Sequence, residues 1–138
     1  HVQRDEAPWV KQMTGVSDSD LAIHDSSDLV RVGEIEVELI HTPGHTPGHV
    51  SVQVTSKGAE ALITGDCIHH PCQMTRTDWC SSADYDQNQG RRTRETLLEK
   101  YVDSDVLIIG THFATPTAGF IRHHDVSGYW LDVELPSI

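Results

Sequence analysis

The stretch His41-Thr42-Pro43-Gly44-His45-Thr46-Pro47-Gly48-His49 places three histidines in a loop that two Pro-Gly pairs punctuate. Proline restricts φ and glycine permits a close or left-handed backbone, so this loop leaves His45 little freedom to lose when a ligand binds. Imidazole is the commonest metal-binding side chain in proteins. The stretch therefore marks His45 as a candidate metal ligand.

Alternating apolar and polar residues on both sides of this loop predict two β-hairpins. Before the loop, residues 29–32 and 35–40 pair around Gly33, and after it residues 50–55 and 61–64 pair around a turn. Alternation places every second side chain on the same face of a strand. We expect one face of the sheet to be buried and the other to be exposed to solvent.

The rest of the chain predicts an α+β fold. Residues 91–102 have the spacing of an amphipathic helix, residues 105–109 predict a short buried strand, and residues 120–122 and 129–134 predict a closing hairpin. Residues 67–90 lack periodicity, which indicates a long functional loop. Residues 1–27 show only two weak helical patterns.

Composition narrows the classes of protein to consider. The chain has 138 residues and a net charge of -11, which fits a single domain over residues 1–138 and disfavours nucleic acid and anionic membrane surfaces as partners. No run of residues is apolar enough for a membrane span. We expect a soluble protein, with the cytoplasm slightly favoured as its compartment. Three cysteines without CxxC spacing predict free thiols.

Two further polar residues follow predicted strands. Asp66 comes directly after Gly65, and His112 follows a Gly-Thr pair. A single histidine near a turn is more often a surface or hydrogen-bonded residue, but two imidazoles and one carboxylate are a normal zinc ligand set. We therefore expect His45, Asp66 and His112 to converge.

These motifs, in this order, resemble the last three metal motifs of the metallo-β-lactamase-fold hydrolases. Asp66-Cys67-Ile68-His69-His70-Pro71 and His112-Phe113-Ala114-Thr115-Pro116 are most similar to the lactonase and methyl-parathion-hydrolase-like branch. The resemblance covers residues 28–133. It implies half of an αββα sandwich, a mostly antiparallel sheet with an outer helix, corresponding to the C-terminal part of the fold with the N-terminal half missing.

The resemblance also implies roles for individual residues. His45 would bind one zinc ion, His112 a second, and Asp66 would bridge both and orient a metal-bound hydroxide that hydrolyses a lactone, ester or phosphotriester. Mn, Fe and Co are alternative ions for such ligands. Four residues would support the site or line its pocket: His49, His69, His70 and Trp79.

The chain departs from the family in one respect. The motif His-x-His-x-Asp-His, which supplies most of the family's ligands, is absent from this sequence. We therefore expect the isolated chain to be weakly active or inactive. The sheet face that would pack on the other half is expected to be covered in a homodimer or by that missing half.

Two alternatives stay open. One is a non-catalytic oligomeric interaction module that kept the half-sandwich, and the other is a glyoxalase II-like thioester hydrolase, which shares the pattern of residues 41–49. For the hydrolase interpretation, the predicted loop with Met74, Trp79 and Tyr85 favours a small hydrophobic ester or lactone as substrate.

Overall fold

A computed structural model describes residues 2–25 and 28–134. Its principal element is a seven-stranded sheet with strands in chain order. The strands are β3 (Leu29–Val32), β4 (Ile35–His41), β5 (Val50–Ser56), β6 (Ala59–Ile63), β7 (Leu107–Ile109), β8 (Ala118–His124) and β9 (Gly128–Asp132). All neighbouring strands are antiparallel except β6 and β7, which are parallel. The predicted α+β class and mostly antiparallel sheet are confirmed.

Both predicted hairpins form, β3 with β4 and β5 with β6. Val37 pairs with Val54, and Leu39 pairs with Val52, so the apolar residues of β4 and β5 share one face. The strand predicted at residues 105–109 is shorter, and the closing hairpin begins earlier than predicted on both of its strands.

The remaining elements flank the sheet. Near the N-terminus, β1 (Val2–Gln3) pairs in parallel with β2 (Ile23–His24), and α1 (Ala7–Thr14) lies between them in the chain. The helical pattern around Trp9 is thus realised as α1, while the second pattern forms a single 3-10 turn at Asp18–Asp20.

The prediction of a continuous loop over residues 67–90 is wrong at two places. A short helix, α2 (Cys72–Thr75), lies within it, and the outer helix α3 (Gln87–Tyr101) begins four residues before the predicted start. The carboxylate of Asp86 accepts a hydrogen bond from the backbone N–H of Gln89 and caps α3. The first turn of α3 is entirely polar and carried no apolar periodicity.

Helix α3 covers one face of the sheet. Its Leu97, Leu98 and Tyr101 pack against Leu62 and Ile108 of the central strands. Met74 of α2 is fully buried in the same core, so this side chain of the predicted loop packs internally and is not available to a substrate. Within the described residues, no helix has the length and apolar character that crossing a membrane requires.

Candidate metal centre

The loop between β4 and β5 is closed on itself and held against α3. The backbone N–H of Thr42 donates to the carbonyl of His49, and the N–H of Gly44 donates to the carbonyl of Thr46. Gly44 has φ of 140°, and a Cβ there would lie 2.2 Å from the Cα of Gly90 in α3. Only glycine permits this approach of loop and helix.

His45 is oriented by a buried carboxylate. Its Nδ1 lies 3.0 Å from Oδ1 of Asp84, whose side chain is only 2% exposed. The backbone N–H groups of Tyr85 and Asp86 donate to the carbonyls of His45 and Gly44, which fixes the Asp84 segment against the loop. An ionised carboxylate only accepts, so Nδ1 carries the hydrogen and Nε2 is left to face the site.

Asp66 lies between two imidazoles. It follows β6 in a 3-10 turn, Gly65–Cys67. Its Oδ2 is 3.1 Å from Nε2 of His45, and its Oδ1 is 2.8 Å from Nε2 of His112, which follows β7. The structure thus brings together the three residues selected from the sequence. All three side chains are partly exposed, so ions and small molecules can reach them.

The surroundings favour the ionised form of Asp66. Partial burial alone would raise the pKa of this carboxyl, but the hydrogen bond from His112 and the charges of His45 and His69 act in the opposite direction. The net result is a pKa below the usual value for Asp. Asp66 therefore presents a carboxylate with two oxygens that face different imidazoles.

His49 supports Asp66 from behind. Its Nε2 accepts the backbone N–H of Asp66 at 2.9 Å, and its Nδ1 lies 3.0 Å from the carbonyl of Thr42. Both ring nitrogens are thereby engaged within the protein. Burial lowers the pKa of His49, which favours the neutral ring that this pair of contacts needs.

His69 lies among the other imidazoles, whereas His70 does not. The ring centroid of His69 is 5.2 Å from that of His45 and 5.1 Å from that of His112, with the latter pair stacked. One ligand atom each from His45, Asp66 and His69 lie within 4.8 Å of one another. His70 is exposed, and its Nδ1 accepts the backbone N–H of Cys72.

Trp79 is bound to the scaffold through its backbone. Its carbonyl accepts hydrogen bonds from Gln73 and from the buried side chain of Arg94. The indole is half exposed, and the guanidinium of Arg76 lies over it at 5.2 Å from the ring centroid. Tyr85, on the same segment, is 79% exposed.

Three residues that organise this centre were not predicted from the sequence, namely Asp84, Arg94 and Gln73. Asp84 lies in the segment without periodicity, so its proximity to His45 depends on how the chain folds. Arg94 is 1% exposed although arginine is normally a surface residue. Its guanidinium donates to the carbonyls of Cys67, Thr77 and Trp79. No sequence signal marked these contacts.

The donor set fits a divalent ion. Nε2 of His45 and Oδ2 of Asp66 face each other, and both atoms can offer a lone pair to a cation. The separation of 3.1 Å suits two ligands of one ion with bond lengths of about 2.0 to 2.2 Å. In addition, Nδ1 of His69 is buried and has no hydrogen-bond partner among the described residues.

One protein family matches most of the chain. The metallo-beta-lactamase superfamily matches residues 2–127. No curated protein matches this chain.

Solved structures of several hydrolases are similar in fold. A hydrolase of the beta-lactamase superfamily, AbOPH, aligns with a TM-score of 0.70 and 22% identity over 96% of this chain and 43% of its own. AidC, a dizinc quorum-quenching lactonase, aligns with a TM-score of 0.75 and 20% identity over 94% of this chain and 44% of its own. A probable metal-dependent hydrolase from Staphylococcus aureus aligns with a TM-score of 0.59 and 19% identity over 99% of this chain and 53% of its own. The chain spans about half the length of these proteins, as expected of half a sandwich.

Proposed function

Because the chain belongs to the metallo-β-lactamase superfamily, we propose that it supplies His45, Asp66 and His112 to the two-ion centre of a metal-dependent hydrolase. His45 would hold one ion, His112 the other, and Asp66 both. Zinc is the ion we propose, and the same donors accept Mn, Fe and Co.

One observation carries the proposal, namely that the two oxygens of Asp66 face two different imidazoles. The contacts are 3.1 Å to His45 and 2.8 Å to His112. A carboxylate that serves two ions needs this division of its oxygens. Ionisation of Asp66 is favoured by the same neighbours, so the bridging group is held in its ligating form.

The chain's own residues act by orientation and charge. Asp84 keeps the hydrogen of His45 on Nδ1, and His49 holds the backbone of Asp66 in place. Divalent ions bound there would supply the Lewis-acid chemistry of ester, lactone or phosphotriester hydrolysis. Preorganisation lowers the cost of ordering these ligands when an ion enters.

We propose a small hydrophobic ester or lactone as the substrate. The similarity in fold to AidC, a lactonase, supports a lactone. The half-exposed indole of Trp79 and the exposed ring of Tyr85 lie on the segment that also carries Asp84, and they offer apolar contact area to a substrate.

The first test measures bound zinc by elemental analysis after dialysis against trace zinc. The protein should retain zinc, Asp66→Asn should lose it, and His124→Ala, which removes an exposed imidazole outside the centre, should retain it. Equal zinc content in the protein and in Asp66→Asn would overturn the proposed centre.

The second test measures hydrolysis on the zinc-loaded preparations. An N-acyl homoserine lactone, a p-nitrophenyl ester and a phosphotriester represent the three substrate classes. Turnover should be slow, because the sequence lacks the His-x-His-x-Asp-His motif, and it should disappear in Asp66→Asn. Bound zinc with no Asp66-dependent turnover of any of the three would instead favour the non-catalytic interaction module.

The proposal extends to the sheet face that α3 leaves uncovered. By register, one face of β4 to β8 presents apolar side chains, none of which is fully buried. They are Val37, Leu39, Val52, Val54, Ala61, Ile63, Leu107, Ile109 and Ala118. Because soluble monomers rarely expose such a face, we propose that a second β-layer covers it. In the whole protein this layer would be the other half of the sandwich, and in the chain alone it would be a second copy.

Light scattering on the purified chain tests the second copy. A dimer is expected, with dissociation in Ile63→Glu and no dissociation in Lys57→Glu, which changes a turn at the end of the same hairpin. A well-folded monomer at high concentration would contradict the dimer.

A further inference from the structure

The two oxygens of Asp66 have unequal surroundings. Oδ2 faces His45, and His69 joins these two residues in a group whose ligand atoms lie within 4.8 Å of one another. Oδ1 faces Nε2 of His112. Within the described residues, no other three potential metal ligands have ligand atoms within 4.8 Å of one another. His112 does not belong to the group of His45, Asp66 and His69.

His69 is held where it is by contacts that leave its ring available. Its backbone N–H donates to Oε1 of Gln73 at 2.7 Å, and Gln73 is itself buried. The ring is close to both His45 and His112. Its buried Nδ1 has no hydrogen-bond partner in the described part of the chain, and an unpaired buried polar atom is costly.

His45, the neighbouring ligand, is already oriented by its contact with Asp84. Asp84 holds Nδ1 of His45, so Nε2 is directed at the same carboxylate oxygen. Two imidazoles and one carboxylate are a common ligand set for a single divalent ion, with solvent completing the coordination.

We propose that His45, Asp66 and His69 form a complete three-residue site for one divalent ion within this chain. The inference rests on the proposed function, since it shares two of that centre's ligands, but it adds His69 to the ligands of the ion that His45 holds. It follows that this half of the fold binds one ion tightly without ligands from any other polypeptide, and that His112 contributes to a second, weaker position.

The test titrates Co²⁺ into the metal-free chain and follows its visible absorption, with Zn²⁺ affinity measured by competition against a chromophoric chelator. The variants are His69→Ala, His112→Ala and the matched control His70→Ala, which removes the adjacent exposed imidazole. His69→Gln is a second variant that keeps a polar side chain in case the alanine variant fails to fold. Circular dichroism of each metal-free variant checks the fold.

His69→Ala should weaken the first ion at least about tenfold and change the Co²⁺ spectrum, because a nitrogen ligand is lost. His70→Ala should leave that affinity unchanged, and His112→Ala should weaken it less than His69→Ala does, because His112 contacts Asp66 without being a ligand of this ion. If His112→Ala loses the first ion and His69→Ala does not, the proposed centre survives and this inference is overturned. If neither Co²⁺ nor Zn²⁺ binds the unaltered chain, the proposed function itself fails.

Discussion

Oδ1 of Asp84 lies 3.0 Å from Nδ1 of His45, across 39 residues of sequence and inside the protein. This pair couples the segment before α3 to the loop between β4 and β5. The second oxygen of Asp84 accepts the backbone N–H of Ser81, so the carboxylate is itself fixed. A carboxylate behind a ligating histidine sets the tautomer and raises the basicity of the ligand.

Asp84→Asn should therefore weaken Zn²⁺ binding about tenfold or more without unfolding the chain. The amide can still accept one hydrogen bond, but it cannot supply the negative charge. Competition against a chelator gives the affinity, and Asp78→Asn is the control, because Asp78 is an exposed carboxylate of the same segment that pairs with Arg76. Equal affinities for the two variants would contradict the role of Asp84.

The elements that could be predicted from the sequence are those whose patterns act over a few neighbouring residues. Alternation and turn residues predicted β3 to β6, because period-two patterns and Gly-containing turns act over a few residues. His45, Asp66 and His112 could be selected because each follows a strand or a Pro-Gly turn. Their convergence required only that neighbouring strands end at one edge.

The unpredicted part depends on tertiary packing. Asp84 and Gln73 lie where no periodicity exists, and their partners are backbone groups or side chains that only the folded chain brings near. The start of α3 was missed because its first turn is polar and capped by Asp86. Arg94 was missed because its burial depends on three carbonyls that the segment before α3 turns inward.

Arg94→Met should lower the free energy of unfolding by about 3 kcal/mol. Methionine fills similar space but leaves the carbonyls of Cys67, Thr77 and Trp79 without their donor. Urea unfolding followed by circular dichroism measures the change. Arg92→Met is the matched control, since Arg92 is an exposed arginine on the same helix whose bond goes to Gln89. A change in Arg94→Met no larger than in Arg92→Met would refute this account.

Gly44→Ala should destabilise the chain and weaken Zn²⁺ binding together. The added Cβ would lie 2.2 Å from the Cα of Gly90, so the loop and α3 must separate. Asp84 would then no longer reach His45. Gly58→Ala is the control, because Gly58 also has positive φ but has no atom within 4 Å of an added Cβ. We expect Gly44→Ala to cost about 2 kcal/mol more than Gly58→Ala in urea unfolding. Unchanged zinc affinity in Gly44→Ala would show that the contact between this loop and α3 does not affect metal binding.

The three cysteines should differ in their reaction with iodoacetamide. Cys67 lies in the core at 6% exposure, and burial raises the pKa of its thiol to about 12, so almost no thiolate forms at pH 8. Cys72 and Cys80 are only partly buried. Mass spectrometry of the native protein should find label on Cys72 and Cys80 and none on Cys67, whereas denaturation in guanidinium should expose all three. Labelling of native Cys67 at the rate of the other two would mean that the segment after Asp66 opens in solution, which would also release the carbonyl that Arg94 holds.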